Sequence, residues 1–287
     1  MLPPVLWRIS AERVPALPYA EMAELARLEP RMAGIQVRQI LHAGFSQPVA
    51  PDITDPFSQL FRFGGPDPDP AHSARRQFLI AESVTGTHLV TLPTPWYDLR
   101  GRSNVVEVLV NLAQSPNGSP IGVTVHDPVI GAGLAYMANG ALAKAAAVFP
   151  DVQAMLQSKR RNPFAAAAGG YVLIGTELDN EPRAWDFWLE NLRNWFPEYS
   201  DGSVLWASRR LRTARSKDEI RLARRGFIKA CEQGVPIFTL GLSWLMDGLS
   251  QFPEDVQCVT WLERVRRVAL RVDMRQPFVV LRLGEQA

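Results

Sequence analysis

The 287 residues suffice for about two domains, and an apolar share of 47% beside 21% charged residues excludes a largely disordered chain. A formal net charge of +2 is too small to imply a polyanionic partner by itself. Cys231 and Cys258 lie far apart without a nearby histidine pair, which argues against a disulfide framework or a zinc site and fits a reducing compartment. The opening Met1 to Arg8 is broken by Pro3 and Pro4 and does not read as a signal peptide. No run reaches the roughly 18 apolar residues of a membrane helix, since residues 129–143 and 163–176 are closed by Lys144 and Glu177. The expected protein is cytoplasmic, with no membrane association.

In chain order, residues 19–43 carry Ala20, Met22, Leu25, Leu28, Met32, Ile35, Val37 and Ile40 at three- and four-residue spacings interrupted by Pro30, which predicts two short helices. Residues 46–74 are rich in proline, aspartate and glycine and read as a linker or long surface loop. Strand patterns follow at 78–81, 88–92, 105–110 and 121–125, with turns at Thr85-Gly86-Thr87 and at 115–119. After Asp127-Pro128 the period becomes helical, predicting helices near 131–148, 151–159, 163–175, 182–195, 202–212, 217–233, 238–250 and 255–272. Asn162 before Pro163, Asn180 and Glu181 before Pro182, and Asp201 before Val204 offer N-caps. A final strand is expected at 278–283, returning to the sheet.

The fold class is therefore α+β. An antiparallel sheet or small sandwich occupies an N-terminal domain, 1–128, and a mainly α-helical domain, TPR-like or of irregular helical hairpins, occupies 129–287. In the 182–195 helix, Trp185, Trp188, Leu189, Leu192 and Trp195 share one face, which predicts packing through a tryptophan stripe.

Chemistry is sparse. Gly131-Ala132-Gly133 sits where a dinucleotide fingerprint would, but Tyr136 replaces its third glycine, and no cofactor is expected. The alanine and glycine run 165–170 reads as a close helix contact. His126 beside Asp127 invites a hydrolytic triad with Ser243 or Cys231, although Gly241-Leu242-Ser243-Trp244-Leu245 lacks the second glycine of a nucleophile elbow. Glu177, Asp179 and Glu181 form an acidic cluster without a calcium-loop pattern, and no metal is expected.

The strongest local signal is basic. Arg209, Arg210, Arg212, Arg215, Lys217, Arg221, Arg224, Arg225 and Lys229 share a segment whose only acids are Asp218 and Glu219. Arginine supplies nearly all the positive charge, with lysine only at 144, 159, 217 and 229. That bias follows from a GC-rich genome or from recognition of carboxylate or phosphate. Arg209, Arg210, Arg212, Arg215, Arg221, Arg224, Arg225 and Lys229 are the candidates for contact with a protein partner or a polyanion.

Residues 123 to 249 resemble a bacterial helical domain that accompanies caspase-like or trypsin-like peptidase modules linked to conflict systems. The residues that carry the resemblance are Lys159, Asn162-Pro163-Phe164 with Ala165 to Gly169, Trp188, Asn191-Leu192, Trp195-Phe196-Pro197, Asp201-Gly202, Gly234 to Thr239 and Asp247-Gly248-Leu249. The resemblance implies a domain that accompanies effectors. It assigns no residue a role, and it places any peptidase partner in another gene. The leading expectation is a non-catalytic adaptor binding a protein, a separately encoded protease or other effector included. Nucleic-acid or polyanion binding through 209–229 is the second, and a hydrolase of unfamiliar type the third.

Overall fold

In a computed structural model, the described residues are 36–42, 45–55, 58–64, 77–83, 86–111, 120–179 and 181–283. They form eleven strands and nine helices. The chain order is β1 (Gln36–His42), β2 (Phe45–Pro48), β3 (Ile53–Thr54), β4 (Ser58–Phe63), β5 (Gln77–Ser83), β6 (Gly86–Leu92), β7 (Trp96–Tyr97), β8 (Ser103–Asn104), β9 (Val106–Asn111) and β10 (Ile121–Val125). The helices follow as α1 (Pro128–Ala138), α2 (Leu142–Val148), α3 (Val152–Gln157), α4 (Pro163–Thr176), α5 (Asp186–Trp195), α6 (Ser200–Thr213), α7 (Lys217–Gln233), α8 (Thr239–Ser250) and α9 (Val256–Ala269), before β11 (Val280–Leu283). The class is α+β, antiparallel sheets followed by helices.

One sheet has the order β11-β6-β5-β1-β2, a second the order β10-β9-β4-β3, and β7 pairs with β8. In the second sheet Phe61 and Phe63, Val106, Val108 and Val110, and Ile121, Val123 and Val125 point inward, as the two-residue period of strands requires. These residues join the helical side chains in one continuous apolar cluster.

Two expectations at the N-terminal end are corrected. Residues 36–42 are a strand paired with β5, Val37 opposite Ala81 and Gln39 opposite Leu79. A three- and four-residue apolar spacing fits a helix locally, but pairing on both sides, with the adjacent β2 and the distant β5, overrides the local pattern. Part of the expected loop is also strand, because β2, β3 and β4 lie within 45–63, with Pro48 the last residue of β2, at the edge of its sheet, and Pro51 outside the strands. The rest of the expected helical region, 19–35, and the proline-rich 65–74 lie outside the described residues.

The helical half follows its capping chemistry more closely. The Asn162 carboxamide oxygen accepts from Ala165 N at 2.9 Å, and its nitrogen donates to Tyr97 O at 2.7 Å, which starts α4 and ties it to β7. α4 is buried along nearly its whole length. The alanine and glycine run permits this, since a Cβ on Gly169 would lie 2.6 Å from Val152 O. α7 opens with a capping box between Ser216 and Glu219.

Two caps differ from expectation. α5 begins at Asp186 rather than at Pro182. α6 begins at Ser200, so Asp201 lies inside its first turn and its side chain serves another segment. The tryptophan stripe of α5 is graded: Trp185 is buried, Trp188 partly buried, and Trp195 is 44% exposed.

Candidate partner-binding surfaces

The basic segment 209–229 spans α6 and α7, which pack as a hairpin. Its charges are mostly engaged. Arg209 is buried, with Nε 2.7 Å from Asp186 Oδ1 and Nη2 2.5 Å from Glu181 O, its guanidinium lying over the Trp185 ring. It cannot meet an external partner, which corrects its place among the candidates. Arg212 donates to Ile174 O at 2.6 Å and stacks on Trp244, while Arg210 stacks on Trp206 together with Arg193 of α5.

Acids pair with four of the others, two of them from elsewhere in the chain. Arg215 pairs with Glu181 at 2.9 Å, Arg221 with Asp218 at 2.7 Å, Arg224 with Asp255 at 2.7 Å, and Lys229 with Glu232 at 3.7 Å. Arg225 is exposed and outside every ion pair among the described residues. Glu181 and Asp255 are remote in sequence, so a count of local acids overstated the free charge. The acidic cluster is the other half of the same arrangement, with Glu177 and Asp179 held by Arg183.

Beside this hairpin a groove of about 190 Å³ runs between α6, α7 and α8. Phe227, Leu211 and Trp244 form its apolar lining. Gly248 closes the floor, where a Cβ would meet the Phe227 ring at 2.2 Å. Arg212 and Asp247 supply opposite charges, and the exposed Asp247 carboxylate has no ion pair among the described residues.

The other candidate chemistry is structural. His126 Nδ1 lies 3.0 Å from Glu107 Oε1, and Asp127 accepts from Val129 N and Ile130 N as the cap of α1. Cys231 and Cys258 are buried thiols. Burial pushes the Cys231 pKa well up, with the Cys258 charge a smaller cause, and burial followed by Asp255 pushes Cys258 to about 11. Gly131 and Gly133 lie inside α1, and the capping carboxylate of Asp127 occupies the helix end where a phosphate would sit. Among the described residues no group of three or more histidine, cysteine or acidic side chains could hold a metal.

Two buried polar features escaped the sequence reading. Asp201 is fully buried and accepts from Tyr171 Oη at 2.8 Å, Ile237 N at 2.7 Å and Phe238 N at 3.4 Å. It thereby joins α4, α6 and the segment entering α8. Lys159 is also buried, with its ammonium near the rings of Trp188 and Trp195 and 3.5 Å from Leu156 O. Burial, and then Arg160, lower its pKa.

Residues 132–280, a little over half the chain, match the family model of the Y4kD C-terminal domain. The chain belongs to this family. The match starts in α1 and ends at the first residue of β11, so it takes in α2 to α9, the groove and the Asp201 contacts. No curated protein and no solved structure matches the chain. Among the described residues no helix is long and apolar enough to cross a membrane.

Proposed function

We propose that this Y4kD C-terminal domain protein is a non-catalytic adaptor that holds a separately encoded protein partner in the groove between α6, α7 and α8. The observation that carries the reading is the groove itself, an apolar lining of Trp244, Leu211 and Phe227 beside an unpaired Asp247. Such a site fits a short segment with one apolar anchor side chain for Trp244 and a lysine or arginine for Asp247. The earlier resemblance implies the class of partner, a protease or other effector encoded elsewhere. Engagement of Arg209, Arg212, Arg215, Arg221, Arg224 and Lys229 within the chain weighs against polyanion binding through 209–229. The occupied positions of His126 and Asp127 weigh against the hydrolase.

The test is affinity capture of the full chain from its native cells, followed by the same capture with Trp244→Ala and Asp247→Arg. A stoichiometric partner retained by the parent and lost from both variants, at unchanged thermal stability, is the expected result. A partner that ignores both substitutions, or a chain that stays monomeric and alone, overturns the reading.

A further inference from the structure

Arg212 of α6 carries a positive charge that the chain does not compensate. Its Nη1 donates to Ile174 O of α4 at 2.6 Å, a carbonyl rather than an acid, and its guanidinium stacks on Trp244. No carboxylate forms an ion pair with it among the described residues. Burial, and then the Arg209 charge, lower its pKa, as befits a guanidinium half withdrawn from water without an anion. One turn earlier on the same helix face stands Ser208, 8% exposed, whose hydroxyl makes no hydrogen bond among the described residues. Both residues line the groove between α6, α7 and α8.

The facing wall has the opposite character. Trp244, Asp247, Gly248 and Gln251 follow one another at helical spacing along α8 and its C-cap, so they form one stripe that holds the unpaired Asp247 carboxylate. Donors therefore stand on the α6 wall and a free acceptor on the α8 wall, with Phe227 entering from α7. At about 190 Å³ the space suits a single anchor side chain, since an apolar cavity of about 150 Å³ takes one benzene-sized ligand.

We infer that the groove reads the C-terminal end of a partner chain. Arg212 and the Ser208 hydroxyl take the terminal carboxylate, the last side chain is apolar and covers Trp244 and Phe227, and a lysine or arginine upstream pairs with Asp247. Because Arg212 stacks on Trp244 itself, the anion and the anchor must lie close together. In an extended segment an internal acid next to the anchor points to the opposite side, and one two residues away is about 7 Å along the chain. A C-terminal residue carries both groups on one Cα. The inference rests on the reading of the groove as the partner site and names the part of the partner that enters it.

The test uses the full chain and a library of random synthetic octapeptides made twice, once with free C-terminal carboxylates and once as C-terminal amides. Binders should come from the acid set, end in an apolar residue and carry a basic residue upstream. For the best of them, measured by fluorescence anisotropy, amidation or extension by four glycines should weaken binding by about tenfold or more. Arg212→Gln should remove most of that preference, Ser208→Ala should weaken the acid peptide alone by a few fold, and Asp247→Asn should weaken acid and amide alike. Circular dichroism checks that each variant is folded, and the comparison of acid with amide on the unaltered chain needs no variant. Equal binding of acid and amide overturns the inference and leaves the groove reading standing, whereas that reading falls if Trp244→Ala leaves peptide binding intact. An acid set that yields no binder, or displacement of the peptide by free leucine at a similar concentration, also overturns the inference.

Discussion

Replacing Asp201 with alanine should destabilise the helical half more than almost any other single change. The carboxylate accepts from the Tyr171 hydroxyl and the Ile237 amide at 2.8 and 2.7 Å, and all three groups are buried. Alanine leaves both donors without an acceptor, at about 1–3 kcal/mol each, or about 2–6 kcal/mol together. Set against the roughly 5–15 kcal/mol that stabilises a typical protein, this is a large share. At about 2–4 °C per kcal/mol, the unfolding midpoint should fall by about 5–20 °C. Asp201→Asn keeps one acceptor oxygen and should cost less, about 1–2 kcal/mol, while Tyr171→Phe removes one donor together with its need for a partner and should cost about 1 kcal/mol. Urea unfolding followed by tryptophan fluorescence measures all three. Asparagine as damaging as alanine, or an alanine variant that unfolds at the parental midpoint, would refute the reasoning.

Two further outcomes follow from buried titratable groups. His88 on β6 is buried opposite Arg282 of β11, and burial first, then the Arg282 charge, hold its pKa at about 4 against the ordinary 6.5. The unfolded chain takes up this proton below pH 6.5 and the folded chain only near pH 4, so stability is lost as pH falls through that window, by about 3 kcal/mol for the full shift. His88→Gln should flatten the pH dependence of urea unfolding between those values, and an unchanged slope would count against the burial argument. Cys231 and Cys258 should resist alkylation in the native protein at mildly alkaline pH and react fully in denaturant, read by intact-mass spectrometry. Rapid native labelling of either thiol would contradict their burial.

The sequence made visible those features whose causes are local. The Asn162-Pro163 start of α4 and the span 217–233 of α7 rest on caps and a helical period within a few residues. The strand at 36–42 was hidden because pairing with β2 and β5, not its own pattern, makes it a strand. Asp201 looked like a cap because aspartate before a helix usually is one, whereas its acceptors are used by Tyr171 and Ile237 from other elements. The arginines of 209–229 looked free because Glu181, Asp186 and Asp255 come from outside the segment. Ser216 and Glu219 at capping-box spacing were a signal available and unused.

The pairing of β11 with β6 sets the order in which the protein can be finished. Leu281 lies against Leu89 and Val280 against Val90, so the strand that completes the first sheet leaves the ribosome after every helix described here. Until then β6 presents an open edge bearing buried-type residues, a template for stray strand addition. A nascent chain therefore carries an adhesive margin from the synthesis of β6 until β11 arrives. A chain interrupted anywhere within α1 to α9 keeps that edge open and is exposed to aggregation and chaperone recognition.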